Sequence, residues 1–527
     1  MKNNKLISLL ACLLALCCLL TACGGETSGT SGTSGTSDTS GTTDTSDTSG
    51  TSGTTQTTQS TEHDPEDMPH DELLLLSGVN ISSYKIVYAR PSIETTKISN
   101  TGKTIKEDLA PYLMGENADF MFDYQSAVRL QQLIKEHFGY ELQIVQDQQT
   151  TVESKYEILV GQTNRQSTRR MTLLNRDKFA TVADFTNTNN YVCMPSTSKS
   201  TQYVICGGVY GATWHAIDEL EKYIIENKSE TKAIDLANAG DLSGQYDFKH
   251  IACIGDSITR GSQALPDGNN FGNDKGVAAS FGSAATSTYF ENYLSYPAAL
   301  GRALWKDYVV ENCGRGWSSM RDYFPNAKDT GPYYYLDTTG YTQCINAGKK
   351  DAYDTVLIML GTNDAGKDGG AKNWTDEHKE EFKAEAKLLI DRIKADSPDA
   401  TFVLMNAPHR CDGHSENLND SAMRVLQKDT AQWLLDQGYN VLHYDMEAYT
   451  TENLRDPSKT ECGKVVTLEN KAHEDYYNIK TDTGTPDTTH PNYRGYGKIA
   501  EGMEDLLLYI LEGGAAPEYM IELQKAA

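Results

Sequence analysis

The 527 residues include 47 Lys and Arg against 73 Asp and Glu, a formal net charge of −26 that repels phosphate backbones. We therefore expect no nucleic-acid partner. The chain is longer than one typical core requires, and its 38% hydrophobic residues can fill two folded domains.

Residues 1–22 have the composition of an export signal. Lys2 and Lys5 precede the apolar run "ISLLACLLALCCLL" at 7–20, which is shorter than the about 20 residues that span a bilayer. The run ends in "LTAC", which resembles a bacterial lipobox. That resemblance implies that Cys23 becomes the lipidated N-terminus of a lipoprotein on the extracellular face of a bacterial membrane. An ordinary signal peptide cleaved nearby is the alternative.

Residues 27–61 contain only Thr, Ser, Gly, Asp and Gln, largely as repeats of "TSG". A segment without apolar residues has nothing to bury, so we predict a flexible tether. The predicted linker covers residues 23–77 and gives the folded part of the chain reach away from the membrane.

Residues 78–247 show strands and helices in the order β–α–β–β–α, which predicts a smaller α/β accessory domain. The predicted strands are "YKIVYA" (84–89), "YEILVG" (156–161) and "QYVICGG" (202–208), and the helices lie at 123–138 and 211–225. The pattern "ILVGQTNR" followed by "GGVYGATWHAIDEL" is similar to accessory domains that precede catalytic domains in some glycoside hydrolases.

Residues 248–515 alternate strand and helix, which predicts a parallel sheet, and residues 516–527 form a C-terminal tail. The predicted strands are "HIACIG" (250–255), "DYVVENCG" (307–314), "DTVLIMLG" (354–361), "TFVLMN" (401–406) and "NVLHYDM" (440–446), and the helices lie at 380–395, 421–437 and 495–511. Every exit from strand to helix lies at the carboxyl edge of such a sheet, where open α/β folds bind ligands.

Polar clusters at that edge contain what acyl transfer needs. Ser257 follows the first strand, and His490 can act as the base that activates its hydroxyl. Asp487 lies three residues before His490, and in a turn the two side chains would be neighbours. The Ser257 N–H, the Asn363 amide and the Gly316 N–H are the candidate oxyanion donors.

These motifs resemble the SGNH hydrolases, the superfamily that includes the GDSL esterases. "GDSIT", "GTND" and "DTTH" match three family blocks in the expected order, which implies Ser257 as nucleophile, Asn363 in the oxyanion hole, and Asp487 and His490 as charge partner and base. The second block is one residue shorter here ("NCGRGW"), so Gly316 is preferred over Gly314. The resemblance implies a flavodoxin-like, three-layer α/β/α catalytic domain at 248–515.

Other polar residues near this edge have simpler roles. We expect Asp256 and Asp364 to bond loop backbone. His409, Cys411 and His414 approach metal-ligand spacing, but a single loop cluster is more often solvated or faces substrate, with metal binding as the alternative. The predicted chemistry requires no metal and no organic cofactor.

Seven cysteines follow the lipobox, at positions 193, 206, 253, 313, 344, 411 and 462, without a CxxC pair. An odd and scattered set favours buried small hydrophobic residues over a disulfide framework. A Cys193–Cys206 or a Cys313–Cys344 bridge remains the alternative.

The sequence therefore predicts an extracellular serine esterase that removes short acyl groups, acetyl above all, from a polysaccharide. The alternatives are a lipase or lysophospholipase that acts on lipid esters, and a non-catalytic carbohydrate-binding surface lipoprotein. The site loops "NCGRGWSS" and "GPYYYLDTTGY" are aromatic and polar and contain no long apolar run for a fatty chain.

Overall fold

Two six-stranded sheets organise the part of the chain that the structure describes. The computed structural model describes residues 74–76, 79–89, 94–98, 104–108, 122–149, 153–168, 171, 189–197, 201–228, 234–262, 295–322, 333–338, 341, 352–408, 418–454, 477–479 and 486–524. The predicted signal segment, Cys23 and the tether at 27–61 lie outside these residues, as do His409, Cys411 and His414. Residues 74–76, which fall in the predicted linker, form a strand. None of the described helices is long and apolar enough to cross a bilayer.

The strands described before residue 248 belong mainly to the first sheet. They are β1 (Leu74–Leu76), β2 (Val79–Asn80), β3 (Lys85–Tyr88), β4 (Glu94–Ile98), β5 (Thr104–Asp108), β6 (Ile144–Gln146), β7 (Glu157–Val160), β8 (Asn190–Pro195), β9 (Gln202–Gly207), β10 (Ile234–Asp235) and β11 (Gly244–Gln245). The first sheet has the order β11–β8–β9–β7–β3–β6, with β6, β3, β7 and β9 parallel and β8 and β11 antiparallel to their neighbours.

Helices α1 (Phe122–Phe138) and α2 (Tyr210–Asn227) pack on this sheet, close to their predicted bounds. The apolar stripe predicted for α1 is confirmed, since Ala127, Leu130 and Ile134 are buried in the core of this sheet. Periodicity therefore predicts both helices, whereas it does not predict strands β6 and β8 of this sheet.

The strands after residue 248 form the second sheet and short pairs near its edge. They are β12 (Lys249–Gly255), β13 (Tyr308–Gly314), β14 (Ser318–Ser319), β15 (Tyr333–Tyr334), β16 (Thr355–Met359), β17 (Thr401–Met405), β18 (Val441–Tyr444), β19 (Tyr477–Ile479), β20 (Pro486–Pro491) and β21 (Met520–Ile521). The helices are α3 (Ser257–Arg260), α4 (Tyr296–Ala303), α5 (Asp376–Asp396), α6 (Leu418–Asp436), α7 (Met446–Asn453) and α8 (Tyr493–Glu512).

The second sheet has the order β13–β12–β16–β17–β18–β21, and all pairs are parallel except β18 with β21. The first five strands follow the doubly wound order 2-1-3-4-5 of flavodoxin-like folds. The predicted fold class is thus confirmed. Residues 520–521, which lie in the predicted C-terminal tail, form the antiparallel edge strand.

Successive residues of β12 point to opposite faces of this sheet. Ala252 and Ile254 lie in a core with Phe382 of α5, whereas Ile251 and Cys253 lie in the core formed with α4 and α8. Helices therefore cover both faces, which gives three layers and explains why the central strands are apolar along their whole length.

Helix α2, which packs on the first sheet, contacts residues 305–306, which precede β13 of the second sheet. The His215 ring on α2 stacks on Tyr246 with centroids 3.4 Å apart, and its Nε2 lies 2.9 Å from the Lys306 carbonyl oxygen. Trp214 meets Trp305 edge-on at 5.4 Å. The domain boundary at 247/248 remains a prediction.

The cysteine prediction is confirmed where the structure describes these residues. Cys193, Cys206, Cys253 and Cys313 are buried and carry free thiols. The alternative Cys193–Cys206 bridge is therefore wrong, because both members lie as separate thiols in the packed core. Cys344, the other candidate partner, lies outside the described residues.

Candidate active site

Ser257 lies at the switch point of the doubly wound sheet. Strand β12 ends at Gly255, and Ser257 begins the single-turn helix α3, whose N-cap Asp256 accepts a hydrogen bond from the Ile258 N–H at 2.9 Å. A Cβ on Gly255 would lie 2.0 Å from Thr259 Oγ1. The close approach of strand and helix therefore requires glycine here, and it aims the serine hydroxyl out of the carboxyl edge.

His490 approaches Ser257 from a distant part of the chain. Its Nε2 lies 2.8 Å from Ser257 Oγ, within hydrogen-bond distance across 233 positions of sequence. The imidazole is held at the end of β20, and the following Asn492 caps α8 by accepting from the Arg494 and Gly495 N–H groups. This is the geometry in which an imidazole takes a proton from a hydroxyl nucleophile.

Asp487 differs from expectation in its backbone. The sequence predicts a turn that contains Asp487 and His490, but residues 486–491 form strand β20, paired with β19. The register of this pairing shifts between Pro491, opposite Tyr477, and Pro486, opposite Ile479, so the segment is neither a simple turn nor a regular strand. The Asp487 side chain lies outside the described residues, and its role as the partner of His490 stays a prediction.

Asn363 lies on the turn after β16, next to the strand that carries Ser257. Its Nδ2 donates to the Ser318 carbonyl oxygen at 2.8 Å and lies 3.5 Å from Asp256 Oδ2. The bond to Ser318 fixes the plane of the amide at the edge where the substrate carbonyl would lie. The sequence predicts no role for Ser318, because only its main-chain oxygen takes part.

The structure separates the two candidate glycines of the second block. The Gly314 N–H already donates to Asn312 Oδ1 at 3.0 Å, and a Cβ on Gly314 would lie 2.4 Å from the Arg260 nitrogen. Gly314 therefore serves the packing of β13 against α3. The Gly316 N–H makes no hydrogen bond to any residue that the structure describes, which favours Gly316 as the donor.

Comparison with known proteins assigns the part of the chain that carries this site to a family. Residues 253–498 match the model of the GDSL-like Lipase/Acylhydrolase family. These residues belong to the GDSL-like family. The GDSL-like domain is accordingly an ester hydrolase domain. No curated protein matches the chain.

Several solved structures resemble the chain over about half its length. A carbohydrate esterase family 2 enzyme with a carbohydrate-binding domain from Corynascus thermopiles (Myceliophthora fergusii) is 18% identical, with 51% of this chain and 68% of that one covered and a TM-score of 0.33. A carbohydrate acetylesterase family member from Sinorhizobium meliloti and the aryl esterase of M. smegmatis are each 15% identical to this chain. Each alignment covers 50% of this chain and 100% of the other, with a TM-score of 0.30. Similarity at this level assigns no substrate.

Buried carboxylates hold the loops of the GDSL-like domain together, as predicted for Asp256 and Asp364. Asp364 is fully buried and accepts from the Met320 N–H at 3.0 Å and from the Arg321 N–H at 3.1 Å. It thereby ties the turn that carries Asn363 to the loop that follows Gly316. The two candidate oxyanion donors are positioned by one carboxylate.

A pair of hydroxyl side chains lies behind the nucleophile, where helix α3 meets the end of strand β12. Tyr296 is fully buried, and its hydroxyl lies 3.1 Å from Thr259 Oγ1, the side chain that packs under Gly255. Burial raises the pKa of the Tyr296 phenol well above its usual value, so the hydroxyl keeps its proton. This pair holds α3 on the end of β12.

The described residues contain no group of three or more His, Cys, Asp or Glu side chains arranged to hold a metal ion.

Proposed function

We propose that the GDSL-like domain hydrolyses short acyl esters, acetyl esters above all, on a polysaccharide outside the cell. The observation that carries the proposal is the 2.8 Å contact between Ser257 Oγ and His490 Nε2 at the switch point of the sheet. A serine hydroxyl beside an imidazole is the arrangement that forms and resolves an acyl-enzyme.

In the first half of the reaction, Ser257 Oγ attacks the ester carbonyl carbon while His490 Nε2 takes the hydroxyl proton. The negative charge that develops on the carbonyl oxygen accepts hydrogen bonds from the Asn363 amide, the Gly316 N–H and the Ser257 N–H. The Ser257 N–H is available because the first N–H groups of a helix have no acceptor within that helix.

The tetrahedral intermediate then collapses, and the proton on His490 passes to the leaving alkoxide, here a sugar hydroxyl. Water enters the vacated space, gives a proton to His490 and attacks the acyl carbon. Collapse of the second intermediate releases the carboxylic acid and returns the proton to Ser257. Asp487 would stabilise the imidazolium that forms in both halves.

Anchoring outside the cell is part of the same proposal. The "LTAC" sequence that ends the apolar run supports lipidation of Cys23, and the tether would let the domain reach polymers that are too large to import. Replacement of Cys23 by Ala should move the protein from the membrane fraction to the soluble fraction. Unchanged membrane association of the variant would exclude the lipid anchor.

The substrate is tested with a series of aryl esters from C2 to C12 acyl chains, together with acetylated xylan. We expect turnover to peak at C2–C4 and acetate to be released from the polymer, with Ser257→Ala as the inactive control. A peak at C8 or longer without polymer deacetylation would favour the lipid-ester alternative. Absence of turnover on every ester would favour the non-catalytic binding protein.

A further inference from the structure

Trp317 is a large aromatic side chain that the fold leaves in solvent. Its relative exposure is 65%, whereas Trp305 and Trp374 of the same domain are nearly buried. Its ring makes no aromatic or cation–π contact with the residues that the structure describes. It directly follows Gly316, the candidate oxyanion donor, so their Cα atoms are about 3.8 Å apart.

The backbone at Trp317 is strained. The Ser318 N–H donates to the Arg315 carbonyl oxygen at 3.2 Å, which closes a β-turn with Trp317 at its third position. Trp317 has a φ of 64°, and a third position with positive φ is normally occupied by Gly or Asn. Among the described non-glycine residues, only Asp368 shares this feature. The conformation of this turn therefore does not explain why a tryptophan occupies the position.

The loop around the ring is held firmly on both sides. Ser318–Ser319 pairs with Tyr333–Tyr334, and the next two residues donate their N–H groups to the buried Asp364. The Ser318 carbonyl oxygen in turn orients the Asn363 amide. The attachment point of the indole is thus fixed relative to the oxyanion donors, as a binding surface for substrate must be.

We propose that Trp317 is the platform on which a sugar ring of the substrate stacks, next to the residue that bears the ester. This inference rests on the proposed function. One face of a pyranose ring presents C–H groups that pack on an indole, while its hydroxyls remain in water. A rigid aromatic surface buries apolar area with little loss of side-chain freedom. Retention of a strained, exposed aromatic residue at an active site is expected where a ligand uses it.

The test compares two substrates in four variants. The specificity ratio is kcat/KM for acetylated xylan divided by kcat/KM for ethyl acetate, which offers neither a sugar ring nor an aromatic ring for stacking. We expect this ratio to fall about 10-fold in Trp317→Ala and in Trp317→Gly, and by less than about 3-fold in Trp317→Phe, which keeps an aromatic face. Ile225→Ala, which removes an equally exposed apolar side chain on α2, should keep the wild-type ratio.

Thermal unfolding separates the ring from the backbone strain. Trp317→Gly should raise the unfolding midpoint by about 1–3 °C, because glycine adopts positive φ freely, while still losing polymer specificity. An unchanged specificity ratio in Trp317→Ala, with polymer turnover intact in the wild type, would overturn the stacking role alone. Wild-type protein that hydrolyses ethyl acetate but releases no acetate from the polymer would instead refute the carbohydrate substrate itself.

Discussion

Replacement of Asp364 by Asn tests whether one buried carboxylate positions the oxyanion donors. The side chain is fully buried and accepts N–H groups from both Met320 and Arg321. An amide of the same shape has one oxygen acceptor and one NH2 donor. In the variant, one of the two main-chain N–H groups must therefore face another donor.

The magnitude follows from these two bonds. A hydrogen bond to a charged group contributes about 1.5–3 kcal/mol, and a buried donor without an acceptor costs about 1–3 kcal/mol. Partial relaxation of the loop offsets some of this, so we expect a loss of about 2–4 kcal/mol in the free energy of unfolding. That loss corresponds to a fall of about 5–15 °C in the unfolding midpoint of a domain of this size.

The assays are urea and thermal unfolding followed by tryptophan fluorescence, together with kcat on an aryl acetate. Because the loop after Gly316 and the turn of Asn363 would no longer be tied together, kcat should fall about 10-fold or more at 10 °C, where the variant remains folded. Asp399→Asn, at an exposed position of the same domain, is the matched control. Wild-type stability and kcat in Asp364→Asn would refute the positioning role.

The remaining predictions concern the reacting groups and one buried acid. Ser257→Ala and His490→Ala should each lower kcat by about 10³-fold or more, and the double variant should lower it little further, because the pair acts as a unit. Asp487→Ala should lower kcat less. An active Ser257→Ala variant would exclude Ser257 as the nucleophile. Asn363→Ala should lower kcat about 10²–10³-fold with little change in KM, whereas a raised KM at constant kcat would mean ground-state binding. Burial raises the pKa of Asp123 well above its usual value of 3.8, so its contribution to stability is complete below that pH and is lost as pH rises through the folded pKa. Asp123→Asn should therefore raise the unfolding midpoint at pH 8 and have little effect near pH 4, and an equal effect at both pH values would contradict this.

Sequence patterns located the elements that carry the site because the apolar runs of the strands and the polar motifs that follow them agree with the observed fold. The apolar run of β12 and the run that contains β16 each end in a glycine followed by polar residues. Parallel strands bring such ends to one edge of the sheet. Hydrophobic periodicity located the first strand and the last helix, whereas the arrangement that brings Ser257 to His490 followed from the resemblance to the SGNH hydrolases.

Other features depend on contacts that a linear pattern does not contain. The length of the motif alone favoured Gly316 over Gly314 in the sequence, whereas the structural difference lies in the bond of the Gly314 N–H to Asn312 and in the packing of Gly314 against Arg260. The Asp487 segment has turn-forming residues, yet pairing with β19 extends it into a strand. Tertiary hydrogen bonds override local preference at such positions.

The edge strand β21 shows the same effect on a larger scale. Residues 520–521 follow a helix end at Gly513 and have no strand periodicity of their own. They join the sheet because β18 presents a free edge, with His443 opposite Ile521 and Tyr444 opposite Met520. An unpaired edge is satisfied by whichever segment can reach it, which sequence alone does not specify.

The central claim, that Ser257 is the nucleophile of an ester hydrolase, is tested most directly by mass spectrometry of the labelled protein. The full chain is treated with an alkyl fluorophosphonate, which reacts with activated serine hydroxyls, and the modified peptide is sequenced. We predict a single adduct on the peptide that carries Ser257, with labelling strongly reduced in His490→Ala and absent in Ser257→Ala. Labelling of another serine, or none in a protein that hydrolyses aryl acetates, would contradict the account.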